Sequence, residues 1–487
     1  MAEATPVRRP EAVGADETEA RAAFERAWPA FRETTAFDER RRTEYARLDR
    51  EGHVYLDYTG GSLYGEGQVR RHFELLRDRV FGNPHSSNPA SSVATRRVDE
   101  TRAAVYRFFR ASPDEYAAIF TANASGALKL VGEAYPFAPG GRYLLTFDNH
   151  NSVNGIREFA RAKGAKVDYV PVLPPDLRLS SERLDAFLEA ADPAADNLFA
   201  FPAQSNFSGV LHPLTLIERA RARGWDVFLD AAAFAPTHRL DLSVWKPDFV
   251  CLSFYKMFGY PTGVGCLLAR KTALQKLHRP WFAGGTITLA SVQSCQYALA
   301  ENEAAFEDGT VDYLNLPAVR IGLDYLDAVG MEALGRRVAC LTGWLLDRMI
   351  QLRHRNGAPL VRVYGPTDLT ERGATVAFNC YDPEGELIDF HHLEAAANRA
   401  RISLRTGCFC NPGAGEIAHG LTPEEMEEAF RDQERMTFEQ FLSVVLHKRH
   451  KSAGAIRVSL GIASNFADVH RFLRFLARFL DHPAATV

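Results

Sequence analysis

The sequence predicts an α/β protein: a larger domain on a mostly parallel seven-stranded sheet, then a smaller C-terminal α+β domain. Seven short apolar runs, several of them β-branched, recur between residues 118 and 269, at lengths that suit fully buried strands. Helical patterns separate most of these runs, the alternation that builds parallel crossovers. Beyond about residue 315 the rhythm changes to long helices with scattered strands. The 487 residues, 46% hydrophobic and 24% charged, suffice for two or three ordinary globular domains without metal or disulfide staples.

The stretch from Met1 to Asp16 lacks the apolar segment of a secretion signal and reads as a frayed, charged extension. Residues 17–50, rich in Ala, Glu and Arg, have a helical pattern, so 1–50 is expected to form a helical extension. The larger domain, 51–315, opens with a strand at 54–57 running into the Gly60-Gly61 turn. Further strands are expected at 118–122, 142–147, 167–172, 198–202, 226–230, 249–254 and 265–269. Helices are expected at 98–109, 125–134, 152–163 and 214–223. The smaller domain, 316–487, begins with a long helix over 316–329 and 331–353. Strands at 361–363, 374–379, 402–405 and 456–460, a helix at 390–401 and a C-terminal helix complete it. The stretch 411–451 has no clear period, and its charge and position suggest partner docking.

Lys and Arg total 57 against 61 Asp and Glu, a net charge of −4. That balance gives no electrostatic case for nucleic acid or a lipid surface as partner. No apolar run approaches the roughly 20 residues of a bilayer span, and a cytoplasmic protein is expected. Seven cysteines are too few and scattered for a disulfide framework. Those at 251, 266, 295, 340 and 380 stand singly and read as buried thiol filler. Cys408 and Cys410 form the one pair.

The chemistry starts from Asp230 and Lys256, each at the end of a strand. A lysine just past a buried strand, beside aromatics and glycine, is partly desolvated and easier to deprotonate. Such a lysine suits Schiff-base chemistry with pyridoxal 5'-phosphate, whose pyridinium nitrogen a carboxylate keeps protonated. A strand-end lysine reaching solvent reads equally well on these two residues alone. The segment 120–129 is a strand, a small-residue turn and a helix start, which suits phosphate at a helix N-terminus or simple capping. His150 follows the next strand, placed to stack on a flat ring or to serve a structural role. Asn206 follows another. Four strands thus end in polar residues that suit one planar phosphorylated ligand, and ligands of open α/β sheets sit at those strand ends.

With these segments in view, the chain resembles the class V aminotransferase family, the fold-type-I pyridoxal-phosphate enzymes that include the cysteine desulfurases. Within it, the chain is most similar to the N-terminal desulfurase-like part of the molybdenum cofactor sulfurases. The segments that carry the resemblance start at Tyr55, Gly82, Phe120, Asp148, Phe201, Ser253, Arg405 and Ile456, and span roughly residues 54–475. The resemblance implies that Lys256 carries the cofactor, Asp230 pairs with its ring nitrogen, His150 stacks on the ring and Asn206 lies near its phenolic oxygen. Ala124, Ser125 and Ser253 would contact the phosphate. Thr286, in Gly284-Gly-Thr286, would reach a neighbouring subunit's phosphate, so a homodimer is expected. Arg457 would bind the substrate carboxylate, a task suited to a bidentate guanidinium. Two positions depart from the usual desulfurase pattern: Ala233 where a glutamine often stands, and Tyr255, counted with the cofactor-binding residues, where a histidine often precedes the lysine.

By the same resemblance Cys410 is the nucleophile, which takes sulfur from L-cysteine as a persulfide and leaves L-alanine. Cys408 is its neighbour, and the charge of Arg405 would favour a thiolate. Half a zinc site or packing in a turn are other readings of Cys408-Phe-Cys410, but no second Cys/His pair at suitable spacing accompanies it, and no metal is expected. The sulfur acceptor is expected to be a separate protein or small molecule, since the further C-terminal domain of fused sulfurases has no counterpart here. A C–S lyase or epimerase that does not use the thiol, or a non-catalytic binding partner, are the alternative functions.

Overall fold

All seven runs expected as strands between residues 118 and 269 pair into one sheet. The computed structural model describes residues 16–84, 86–431, 436–437, 439–442 and 452–484. The expectations for 1–15 and for most of 432–451 lie outside the described residues. Across the sheet the order is Tyr116–Thr121, Gly265–Arg270, Phe249–Ser253, Asp226–Asp230, Asn197–Pro202, Arg142–Thr146 and Lys166–Val170. Gly265–Arg270 runs antiparallel to both neighbours, and the remaining pairings are parallel. The strands are almost wholly buried at the sheet centre, as expected where helices cover both faces.

Local chemistry starts and stops the helices. Pro89–Phe109 begins earlier than its apolar period indicated, because the Asn88 side chain accepts from Ser91 N and Pro89 takes the first turn. The expected helix at 152–163 divides at Gly155 into Asn151–Asn154 and Ile156–Ala162. The long helix stops at Met349 rather than 353, where the chain turns through Gly357. Residues 17–50 form not one helix but four short segments, the first break falling at Pro29.

A second sheet of four antiparallel strands has the order Val361–Tyr364, Thr375–Cys380, Ala455–Ser459 and Arg405–Gly407. The strand expected at 402–405 splits. Ile402–Ser403 pairs with Val54–Tyr55, and Arg405–Gly407 joins the four-stranded sheet. Residues 17–50 pack on this C-terminal half: Phe24 lies 5.6 Å edge-on to Trp344 and 5.1 Å from Phe466. Buried Arg41 pairs with Asp468 at 2.9 Å, and buried Arg337 stacks over Phe31 at 4.6 Å. Among the described residues no helix is long and apolar enough to cross a membrane.

Four of the five lone cysteines are buried; Cys295 is the correction. It is exposed, at φ 53° in the turn of an exposed hairpin formed by Ile287–Ser291 and Gln296–Leu299, where no core is available to fill.

Candidate active site

The C-terminal ends of the parallel strands open on a cleft of about 390 Å³. Ala122, Asn123, Ala124 and Ser125 line it from the turn after Tyr116–Thr121, and His150 and Ser152 from the turn after Arg142–Thr146. Gln204 and Asn206 follow Asn197–Pro202, Asp230 ends its strand, and Ser253, Tyr255 and Lys256 lie where Phe249–Ser253 enters the short helix Phe254–Phe258. Eight of the residues singled out from the sequence therefore meet in one place.

One end of the cleft suits an anion. The Asn123 side chain caps the eleven-residue helix Ala124–Ala134 by accepting from Gly126 N at 2.9 Å, leaving other first-turn N–H groups free of intrahelical partners. Ser125 Oγ and Ser152 Oγ are 2.6 Å apart. Gly265 allows the neighbouring strand to pass this close: a Cβ there would lie 2.5 Å from the Asn123 carbonyl carbon.

The other walls suit a flat cationic ring. Asp230 Oδ1 accepts from Ala232 N at 2.9 Å and from the Cys251 thiol at 3.4 Å. Burial, and then the charge of Asp230, push the Cys251 thiol up, so it stays protonated and serves as a donor. No bond to Asp230 Oδ2 forms among the described residues. His150 Nδ1 accepts from Ser152 N at 3.1 Å, which leaves the proton of a neutral ring on Nε2. Burial lowers the His150 pKa; Asp230 opposes this, while Lys256 and Arg457 add to it. A neutral imidazole and a carboxylate, an anion cradle and a lysine together fit pyridoxal phosphate.

The thiol loop is bonded to this cleft from the C-terminal half. Asn151 N donates to Cys410 O at 2.7 Å, one residue from His150. Asn206 Nδ2 donates to Phe409 O at 2.8 Å, while Asn411 Nδ2 donates to Asp148 O and to Asn206 Oδ1. Phe409 and Cys410 both hold left-handed backbone, φ 55° and 54°, which these bonds sustain. Cys410 is exposed and Cys408 half-buried. Directly after the loop, 412–419 and 423–430 are helical, where no period was legible.

Arg457 is buried beneath Phe409, its guanidinium 4.7 Å from the ring. Nη1 donates to Asn206 O at 3.0 Å and Nη2 to Asp57 Oδ1 at 3.2 Å, while Nε has no partner among the described residues. Thr286 is not among the residues lining the cleft; its hydroxyl closes its own turn with Ala283. Sequence reasoning missed Asp57, Gln204 and Ser152. The buried Gln204 lines the cleft with Ala233, and its Oε1 lacks a partner among the described residues. All three lie in segments that carry the resemblance, but the Tyr55-Leu-Asp57 run pointed to a strand rather than to a charge, and the other two segments were read for His150 and Asn206. Among the described residues no group of three or more His, Cys, Asp or Glu is placed to hold a metal.

The model of the aminotransferase class-V family matches residues 54–472. Molybdenum cofactor sulfurase from Solanum lycopersicum is 35% identical over 469 residues, covering 90% of this chain and 56% of the relative. The Bos taurus protein of that name is 36% identical, covering 90% and 51%. The chain thus spans about half the length of the relatives it matches. Among solved structures, an apo cysteine desulfurase from Thermococcus onnurineus superposes with a TM-score of 0.75 at 23% identity, covering 91% of this chain and 98% of that one. A cysteine desulfurase from Escherichia coli gives 0.69 at 18%, covering 91% and 98%. These likenesses establish the fold-type-I architecture.

Proposed function

The chain belongs to the class-V aminotransferase family, and we propose that it is a pyridoxal-phosphate-dependent cysteine desulfurase that loads sulfur on Cys410 for transfer to an acceptor. The observation that carries this reading is the bond from Asn151 N to Cys410 O, which ties an exposed thiol to the mouth of the cleft. The 35% identical molybdenum cofactor sulfurases support it.

Bound in the cleft, pyridoxal 5'-phosphate would supply the electron sink that makes the Cα–H of an attached amino acid acidic. The chain supplies the rest. The N-terminus of Ala124–Ala134, with Ser125 and Ser253, would take the phosphate, and Asp230 would keep the ring nitrogen protonated. His150, Asn206 and Tyr255 would contact the ring, and Lys256 Nζ would hold the group and, once released from it, take up the substrate's Cα proton. Arg457 binds the carboxylate. Cys410 Sγ, as thiolate, bonds to the sulfur of L-cysteine while the Cβ–S bond breaks. Its electron pair stays with Cβ, which takes up a proton, and Lys256 would return the proton to Cα, giving L-alanine. The sulfur remains as a persulfide until the acceptor's nucleophile removes it.

A homodimer in which Thr286 reaches the partner's phosphate site belongs to the same reading, as do a division of the chain near residues 50 and 315 and a cytoplasmic location, in keeping with seven unpaired cysteines. The test compares wild type with Cys410→Ala for alanine and sulfide formation from L-cysteine, with a reductant present. Yellow wild-type protein that forms both, and a yellow variant that forms neither, is the expected result. Equal turnover by the variant would replace sulfur transfer with lyase or epimerase chemistry.

A further inference from the structure

The Tyr55-Leu-Asp57-Tyr-Thr-Gly60-Gly61 segment is not used by the reaction as described, yet its Asp57 bonds to Arg457. Asp57 is buried where the short strand Val54–Tyr55 ends, and its carbonyl accepts from Gly60 N and Gly61 N to close a turn. Its carboxylate joins two arginines. Oδ2 accepts from Arg405 Nε at 3.0 Å and Nη2 at 2.6 Å, and Oδ1 from Arg457 Nη2 at 3.2 Å. Gly60 lies so close that a Cβ there would stand 2.5 Å from Asp57 Oδ2 and 2.7 Å from Arg405 Nη2. Gly60 thus makes room for the triad.

The two arginines serve different groups. Arg457 is the buried cation expected to meet the substrate carboxylate. Arg405, 51% exposed, begins the strand that leads into Cys408-Phe-Cys410. Asn206 links Arg457 to the thiol loop: its carbonyl accepts from Arg457 Nη1 at 3.0 Å, and its Nδ2 donates at 2.8 Å to the carbonyl of Phe409, the residue before Cys410. One carboxylate therefore offsets the charge of both. Two cations with a single counter-ion leave a net positive field, and its size depends on Asp57.

We propose that Asp57 is a positioning residue that sets the strength of this field, and with it both the attraction of Arg457 for a substrate carboxylate and the reactivity of Cys410. The part that concerns substrate rests on the desulfurase reading; the part that concerns the thiol does not. Removing the negative charge leaves two unopposed cations, whereas removing Arg405 leaves Asp57 to neutralise Arg457 alone. The two changes act in opposite directions, which a simple structural strut would not produce.

The experiment uses the holoenzyme, with Asp57→Asn and Arg405→Met as variants. Iodoacetamide labelling of the Cys410 peptide at neutral pH is measured by mass spectrometry against the exposed Cys295 peptide in the same sample. Labelling of Cys410 relative to Cys295 should rise about threefold to tenfold in D57N and fall by a similar factor in R405M. The KM for L-cysteine should fall about threefold in D57N and rise in R405M, with kcat changed less than KM. If D57N does not fold, R405M, altered at a half-exposed side chain, decides alone. Labelling that is unchanged, or that moves the same way in both variants, overturns the proposal, as does KM rising in both. Wild type that forms no alanine from L-cysteine would remove the desulfurase reading and the KM comparison, and the labelling result would still decide the role of Asp57.

Discussion

Asp230 touches three groups with one side chain: a backbone N–H, the Cys251 thiol and the open cleft. The Asp230→Asn variant keeps the shape and loses the charge, so alanine formation at saturating cofactor should fall about 100-fold to 1,000-fold. Unchanged turnover would mean that no ring nitrogen depends on it. Asp230, Lys256, His150 and Asn206 were legible because each is a polar residue just past an apolar strand. Asp57 and Gln204 were not, because their roles depend on partners far along the chain. Asp57 meets Arg457 across 400 positions, and Gln204 meets Thr375 across 171. No local period encodes such a contact. Arg457 was singled out only by the family resemblance of its segment, and its pairing with Asp57 was not legible.

At the scale of elements, the strand containing Gly265 packs against the anion turn with no space for a methyl group. Gly265→Ala should lower stability by about 1–3 kcal/mol and weaken cofactor binding, read by absorbance titration of the apoprotein. Wild-type affinity in that variant would show that the turn tolerates displacement. The helix after the thiol loop, Pro412–His419, ends on a half-buried imidazole edge-on to Tyr364, with Nε2 unpartnered among the described residues. Burial holds the His419 pKa at about 4, below its ordinary 6.5. Folding therefore excludes a proton over that interval. This contribution to stability is full above about pH 6.5 and is lost as pH falls toward 4. His419→Phe should lose less stability between pH 7 and pH 5 than wild type, measured by denaturant unfolding; an equal or larger loss would contradict it. The seven strands of the larger sheet were legible from runs of apolar residues alone, while helix limits and the break of 402–405 into two strands were not. Asn88 and Pro89 extend one helix beyond its apolar period, and Gly155 divides another.

At the scale of the whole molecule, the site exists because the C-terminal half delivers a thiol and an arginine to the strand ends of the larger sheet. Residues 17–50 brace that half through Phe24, which is fully buried against Trp344 and Phe466. Phe24→Ala should cost about 3–5 kcal/mol in denaturant unfolding. A loss below 1 kcal/mol would show that these segments are not part of the core. The sequence pattern identified both sheets but not this embrace, since a helical period in 17–50 says which face is apolar and not what covers it.

The central claim is that Cys410 accepts sulfur, and the most direct measurement is the mass of the Cys410 peptide after holoenzyme meets one equivalent of L-cysteine without reductant. The account predicts a gain of one sulfur atom on Cys410, removed by thiol reductant and matched by an equivalent of L-alanine. Alanine formed with no sulfur on that peptide, or sulfur found on Cys408 alone, would contradict it.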